Sequence, residues 1–554
     1  MENICLDHQV QHMSEIDASY REEEEEGNDQ GFELPSGSQS RADRVVISWE
    51  PNDPENPLNW SAWKKGYVVF TTSLLVANST MGSSIPSMAI PAITQQFHIA
   101  SQEQHVLLLS IYLVGYIAGP ILWGPLSEHF GRRYLTIITF FTFMLATAAC
   151  ALAPNWPSLL VFRLISGCFA SAPITVVAGY LADIYNEPRA RGRAFSIFVV
   201  ASTFGPLFSP IISGFATPTI GWRWSFWISL ILAGIAAVFA VFLPETFAPI
   251  LLARRAKKLR AEARKTNPDS PAAANVFAPR DLEATDFRKV FTAVLTRPLR
   301  MIAYEPIVSS ICAYIALVYA IFYMSFQVFP IIFQSLYGLS PGVTGLTYLS
   351  VGGGALLSLP VAWCWDNVLQ RGIASGADWT KREEYRRLPV ACLGGPLFVI
   401  SLFWLGFSAR QSVPFVAPLL AGVPFGMGYI LVVLALLNYL TDAYEIYAAS
   451  ANAAVTASRS IGAIVLPLAT TPMFAKLGIS GACSLFGGLS AVMCILPLIF
   501  IWKGPSIRAR SQFCSELREK KEEMLRKAKE GIQSQGRLEM RNDDRAVFSE
   551  SLKV

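Results

Sequence analysis

The sequence predicts an all-α polytopic membrane protein with twelve transmembrane helices in two six-helix, pseudo-symmetric halves. Three observations lead there. The 554 residues are 52% hydrophobic and only 16% charged, against about 25% charged in an average soluble protein. Their mean hydropathy is +0.39 although both tails are polar. Apolar windows of spanning length recur twelve times, in two sets of six. This composition excludes a soluble enzyme, a disordered scaffold and a nucleic-acid binder.

The tail 1–62 is expected to be cytoplasmic, solvated and largely disordered. It carries the unbroken acidic run Glu22 to Glu26, and a run of like charge at a chain end usually stays in water. No basic stretch followed by an apolar one precedes the first span, so a cleavable signal peptide is not expected and the first span serves as the insertion signal.

A spanning helix needs about 20 mostly apolar residues. The first bundle, 63–243, offers such windows near 66–89, 105–125, 134–153, 158–182, 193–216 and 224–243. A polar central loop, 244–302, separates it from the second bundle, 303–502. There the windows lie near 303–328, 342–364, 389–408, 414–440, 449–475 and 482–502. The tail 503–554 closes the chain.

Charge position sets the orientation. Arg132 and Arg133 follow the second window; Arg189, Arg191 and Arg193 follow the fourth; the central loop holds Arg254, Arg255, Lys257, Lys258 and Arg260 among others; and loop 365–388 adds Arg371, Lys381, Arg382, Arg386 and Arg387. The loops on the other side offer little beyond Arg223, Arg410 and Lys476. The excess of Lys and Arg on cytoplasmic loops therefore predicts that both termini and the central loop face the cytoplasm.

The nine cysteines are odd in number and mostly sit in apolar runs at no metal-ligand spacing, so they read as small hydrophobes. No metal site and no cofactor are expected. The halves echo each other: Gly205 and Pro210 in the fifth window recur at the same spacing as Gly462 and Pro467 in the eleventh. Two six-helix repeats about an axis normal to the membrane are the architecture of a large class of transporters, with the substrate between the halves near the midplane.

Individual motifs carry the reading further. The loop after the second window reads Gly124-Pro125-Leu126-Ser127-Glu128-His129-Phe130-Gly131-Arg132-Arg133. It is similar to the G-x-L-a-D-x-x-G-R-R/K signature of the major facilitator superfamily, with Glu128 where Asp is commoner. The resemblance implies that Glu128 pairs with helix ends of the second half, that Arg132 and Arg133 reach Asp183, and that these charges latch an outward-open state. Arg163, in Leu160-Val161-Phe162-Arg163-Leu164-Ile165-Ser166-Gly167, resembles the superfamily's fourth-helix arginine tied to proton coupling. A snorkelling or structurally paired arginine is the competing reading. Gly205-Pro206-Leu207-Phe208-Ser209-Pro210-Ile211-Ile212-Ser213-Gly214 resembles the antiporter motif G-P-x-x-G-P-x-x-G-G, with Ser209 and Ser213 replacing two glycines. Small residues at this spacing let helices approach closely, and Gly205, Pro206, Pro210 and Gly214 form the expected hinge.

Further stretches are similar to the fungal twelve-span drug:proton antiporters (the DHA1 family), over roughly residues 45–515. They are Asp53-Pro54-Glu55-Asn56-Pro57-Leu58-Asn59-Trp60, Gly221-Trp222-Arg223-Trp224, Leu243-Pro244-Glu245-Thr246-Phe247, and Tyr447-Ala448-Ala449-Ser450-Ala451-Asn452 with Arg459 beyond. Arg459 lies well inside the eleventh window, as a clamp across the halves or as a contact for substrate or proton. The carboxylates Glu305, Asp442 and Glu445 sit at helix ends, leaving the proton-exchanging carboxylate open. A carrier of bulky amphipathic molecules needs aromatic, weakly polar walls, and Asn78, Tyr112, Tyr116, Phe322, Tyr323, Gln327, Tyr429 and Asn452 are the mid-span candidates. Core packing is the alternative for each.

The resemblance implies a proton-driven exporter of small hydrophobic or amphipathic compounds (drugs, toxins or secondary metabolites) in the plasma membrane, with a vacuolar location less favoured. Its expected partners are the lipid bilayer, protons and a small-molecule substrate; it binds no nucleic acid and acts as a monomer. Uptake or exchange of polyamines, organic acids or another nutrient is the alternative. A polytopic membrane enzyme or receptor is the alternative of another class, disfavoured by five histidines, two of them in the tail.

Overall fold

The computed structural model describes residues 45–50, 52–266, 276–282, 287–444 and 447–509, and a few residues between 511 and 526. Twelve long helices dominate it. In the first half they are α1 (Ala62–Ser84), α2 (Gln102–Phe130), α3 (Arg132–Ala151), α4 (Trp156–Ile184), α5 (Pro188–Ile220) and α6 (Arg223–Val241). The second half has α7 (Pro306–Phe329, continued by a π-helical turn Pro330–Leu336), α8 (Pro341–Ala374), α9 (Glu383–Ser408) and α10 (Gly422–Tyr444). The last two helices form one run, Ala448–Ala509, that breaks at Gly478. There φ is 70°, a left-handed backbone that glycine tolerates without strain. This divides the run into α11 (448–477) and α12 (479–509).

Two helices depart from simple apolar rods. α2 is bent by 47° between 103–117 and 122–130, where Pro120 removes a backbone donor from the helix ladder. α1 is unusually polar for a span, and its Thr71, Thr72, Ser73, Asn78, Ser79, Thr80, Ser83 and Ser84 are all buried. Hydroxyls in hydrocarbon need partners. Here Thr72, Ser79 and Thr80 donate to carbonyls one turn back at 2.7–2.9 Å.

Helix pairing repeats between the halves. In the first, α1 packs on α5, α2 on α4, α3 on α4 and α3 on α6; in the second, α7 packs on α11, α8 on α10, α9 on α10 and α9 on α12. The seams between halves are also related, α5 against α8 and α2 against α11. The sequence echo has an atomic counterpart. A Cβ on Gly205 of α5 would strike the Ala77 carbonyl of α1, and one on Gly462 of α11 would lie 2.9 Å from the Ala316 carbonyl of α7. The same device seats equivalent helices in each half. Leu145, Val238, Ile400, Val492 and Trp502, on α3, α6, α9 and α12, expose their side chains, as a lipid-facing surface requires.

The segment 45–60 departs from the expected disordered tail. β1 (Val45–Val46) pairs in parallel with β2 (Val276–Phe277) of the central segment. A 3-10 turn, Pro57–Asn59, then leads into α1, capped by the Asn56 side chain on the Leu58 amide at 3.1 Å. The central segment contributes helices Ala248–Thr266 and Phe287–Tyr304 rather than a plain loop. The acidic run, His8, His12, Cys5, Cys514 and Glu445 lie outside the described residues. The other seven cysteines are free thiols.

Candidate transport site

At the basic end of the bundle, the loop between α2 and α3 is held by two carboxylates. Gly131 turns the chain with φ 94° and ψ 153°. Glu245, just after α6, then accepts the backbone N–H groups of Arg132, Arg133, Thr246 and Phe247 at 3.0–3.2 Å. Arg132 reaches Asp183 of α4 through Nε at 2.5 Å and Nη2 at 3.2 Å, and Thr246 donates to the same carboxylate at 2.8 Å. This bidentate pair is the expected one. Arg133 does not join it: its Nη2 donates to the Val241 carbonyl at 3.0 Å, because its neighbour already occupies Asp183. Glu128 also differs from expectation. It is exposed and has no ion-pair partner among the described residues.

A different pair joins the halves at this end. Arg189 and Arg193 of α5 meet Asp366 of α8 at 3.0 and 3.3 Å, and both donate to the Asn367 side chain. Arg387 and Asp442 pair within the second half at 2.8 Å. Asp366 lies two residues beyond the window 342–364. Its charge faces the Arg189–Arg193 group across the seam, a signal legible only once α5 and α8 are known to be neighbours.

Arg163 is 1% exposed and meets no carboxylate among the described residues. Its three nitrogens instead donate to the carbonyls of Leu108 (3.1 Å), Gly82 (2.5 Å) and Ser83 (2.9 Å), with the Tyr112 ring 4.5 Å below the guanidinium. Those carbonyls belong to α1 and α2, so Arg163 of α4 fastens three helices. A buried arginine within a span costs up to about 2.5–3.5 kcal/mol on insertion scales, the value for a span's centre, and three charge-assisted hydrogen bonds offset this.

Beside it lies an aromatic cluster shared by the halves. Tyr112 and Tyr116, one turn apart with ring centroids at 5.3 Å, both donate to the Ser79 carbonyl of α1. Ser83 of α1 and Tyr323 of α7 share a hydrogen bond of 2.9 Å across the seam. Phe322 stacks on Tyr429 of α10 at 4.8 Å, and Tyr319 leans on both Phe322 and Tyr323. The Arg459 guanidinium sits 5.0 Å from the Tyr319 ring, and its Nε is buried without a hydrogen-bond partner. This ring contact lies within the second half. Both amide atoms of Gln327 and the Asn78 Oδ1 are likewise buried and unpaired.

Six of the eight expected pocket residues thus gather near this junction: Asn78, Tyr112, Tyr116, Phe322, Tyr323 and Tyr429. Gln327 lies one turn beyond Tyr323. Asn452 does not join them; it sits four residues into α11 and donates to Thr441 near the end of α10 at 3.1 Å. Tyr319 and Ser83 are members that sequence reasoning omits.

The far end is closed by backbone contact. A Cβ on Gly214 of α5 would lie 2.5 Å from the Pro341 carbonyl of α8, and one on Gly345 of α8 would lie 2.5 Å from the Pro210 carbonyl of α5. The serines that replace motif glycines turn inward: Ser209 Oγ donates to the Met81 carbonyl of α1 at 2.7 Å, and Ser213 Oγ to the Ser209 carbonyl at 3.0 Å. The motif therefore packs on α1 with Gly205 and on the opposite half with Pro210 and Gly214.

Comparison with known proteins agrees with this architecture. A family model of the Major Facilitator Superfamily matches residues 72–467. The chain is 35% identical over 484 residues to the MFS-type efflux pump MFS2 of Trichophyton rubrum, covering 87% of this chain and 79% of that one. It is 35% identical to the citrinin biosynthesis cluster MFS transporter mrr1 of Monascus ruber (86% and 94% covered). To the multidrug transporter mdrA of Aspergillus fumigatus it is 32% identical (92% and 82%). Among solved structures, the proton:xylose symporter XylE superposes with a TM-score of 0.57 at 17% identity, over 80% of this chain and 96% of that one. This last likeness concerns the fold.

Proposed function

The chain belongs to the Major Facilitator Superfamily, and from that premise we propose that it is a proton-coupled exporter of small hydrophobic or amphipathic compounds. The observation that carries the reading is the aromatic junction at the seam, set between a charged contact at one end and a close-packed contact at the other. Rocking the halves about this junction would break one end contact while keeping the other. That is the requirement for alternating access. Aromatic walls with unpaired amides suit cargo that varies in shape and carries a few polar groups. The names of the relatives, efflux pump and biosynthesis-cluster transporter, support the outward direction.

In this reading Arg163 and the Arg132–Asp183 pair are the groups through which proton binding changes the balance between states. The basic end faces the cytoplasm with both termini, the plasma membrane is the working location, and a single chain suffices. The proton gradient supplies the work, with no bound cofactor.

The test is accumulation of a panel of drugs and fungal metabolites in a host lacking its own pumps. Expression should lower accumulation, and an uncoupler should restore it. Expression that raises accumulation, reversed by the uncoupler, would establish uptake instead. An unchanged panel would remove the export reading.

A further inference from the structure

A cavity lies away from the aromatic junction, at the basic end, where the segment before α1 passes beside helix Ala248–Thr266. Its volume is about 620 Å³. Five basic side chains line it, Lys64, Arg133, Arg254, Arg255 and Lys258, against three carboxylates, Glu55, Glu245 and Glu262.

The pairing inside the cleft sharpens that balance. Arg255 is committed to Asp53. Glu245 is saturated by four backbone N–H groups. Lys64, Arg254 and Lys258 have no carboxylate partner among the described residues, and Arg133 Nε is buried with no hydrogen bond at all. Two of the free cations are nonetheless held in place. The Lys64 ammonium rests 3.5 Å from the Trp60 ring centroid, and Arg254 lies 5.5 Å from the Tyr134 ring. Trp49 and Trp60 supply apolar wall. Trp63, one turn from Trp60, is 90% exposed on the outer surface of α1, the position of an aromatic anchor at the membrane–water boundary. The cleft therefore opens at headgroup depth, with oriented donors from three segments of chain converging on it.

We propose that this cleft binds a phosphate-bearing polar ligand: the headgroup of an anionic phospholipid from the adjoining leaflet, or a free polyol phosphate of the same chemistry. Arg133 and Arg254 donate N–H groups to the phosphate oxygens, Lys64 and Lys258 add point charges, and the tryptophans cover the glycerol or polyol. Charge alone would concentrate anions anywhere along the basic loops. What singles out this cleft is the convergence of Lys64, Arg254 and Lys258, none with a carboxylate partner among the described residues, on walls that carry Trp49 and Trp60.

The test uses the purified full chain in detergent and follows tryptophan fluorescence and native mass spectra. Titrants are dioctanoyl phosphatidylinositol 4-phosphate, inositol 1,4-bisphosphate, inorganic phosphate and dioctanoyl phosphatidylcholine. The phosphoinositide should saturate, and the combined variant Lys64→Gln, Arg254→Gln, Lys258→Gln should weaken it at least tenfold. These side chains are exposed, so the variant should keep its gel-filtration profile. A charge-matched control, Lys257→Gln, Lys265→Gln, Arg410→Gln, draws on exposed residues that do not line the cleft and should bind as the parent does. If inositol 1,4-bisphosphate competes as well as the lipid, the ligand is the free phosphate ester; if it fails to compete, the source is the lipid. Equal weakening in the control, or equal binding of phosphatidylcholine, would overturn the proposal.

Discussion

Arg189 of α5 and Asp366 of α8 meet across the two halves at 3.0 Å, and Arg193, one turn on, reaches the same carboxylate oxygen at 3.3 Å. One carboxylate thus holds two cations of the opposite half, and Asn367 receives a hydrogen bond from each. The side chains are partly in water, so each pair contributes only about 0.2–1 kcal/mol. A contact of that strength can break in every cycle.

Asp366→Asn should therefore open the basic end more often without unfolding the chain. Ser196, 4% exposed, lines a small cavity beside these arginines. In a cysteine-free background, Ser196→Cys should react with a maleimide roughly threefold to fivefold faster when Asp366→Asn is present, the size expected from about 1 kcal/mol. Unchanged labelling would show that the pair does not hold this end closed.

Arg163→Ala should cost more. It leaves the carbonyls of Gly82, Ser83 and Leu108 without these donors, at about 1–3 kcal/mol for each group left unsatisfied. Proton-dependent efflux should be lost and the melting temperature in detergent should fall by several degrees. Arg163→Lys keeps a cation but cannot reach three carbonyls, and should recover part of the stability. If Arg163→Ala retained full efflux and stability, neither the fastening nor the coupling role would stand.

Gly345→Ala tests the far end. The added methyl would lie 2.5 Å from the Pro210 carbonyl, an overpacking of about 1–3 kcal/mol. It should disfavour closure there, so that a cysteine pair spanning α5 and α8 near Gly214 crosslinks more slowly. Among the echoed glycines, Gly205→Ala should lower expression more than Gly462→Ala, because the Gly205 site leaves less room.

Phe322→Ala and Tyr429→Ala each remove one ring of a stacked pair with centroids 4.8 Å apart. Aromatic pairs contribute about 0.5–1.5 kcal/mol beyond burial. KM for aromatic compounds should rise roughly twofold to tenfold, while a compact aliphatic substrate should be less affected. Transport kinetics over paired substrates provide the check.

Asp53→Asn addresses the segment before α1. The Arg255 guanidinium holds the Asp53 carboxyl below the usual carboxylate range. Stability from this pair is present above the ordinary aspartate value, about 4. It is lost as pH falls through the lowered one. Hydrogen exchange at the Ile47 amide, which donates to the Phe277 carbonyl at 3.0 Å, should be faster in the variant at neutral pH. After correction for intrinsic rates, the parent should converge on it in strong acid.

The twelve spans were legible because hydrocarbon admits only long apolar helices, and the pairing Arg132–Asp183 because its motif is distinctive. The Gly205 and Gly462 echo also carried true spatial information. What the sequence concealed depended on neighbours distant in the chain. Arg133 could not share Asp183 once Arg132 had filled it, and Asp366 was invisible as a partner until α5 and α8 were adjacent. The polar face of α1 weakened its own signal as a span because that face lies inside. Asn452 was misplaced for a simpler reason: α11 starts at Ala448, so this residue lies near a helix end.

The parallel pairing of β1 with β2 also has a consequence for synthesis. Val276 follows its partner Val45 by 231 residues, and every helix of the first half is made between them. β1 therefore leaves the ribosome without its mate and must wait until α6 and the stretch beyond have emerged. Its docking is a late event relative to synthesis of the first half, possible only once the residues of all six of its helices have been made.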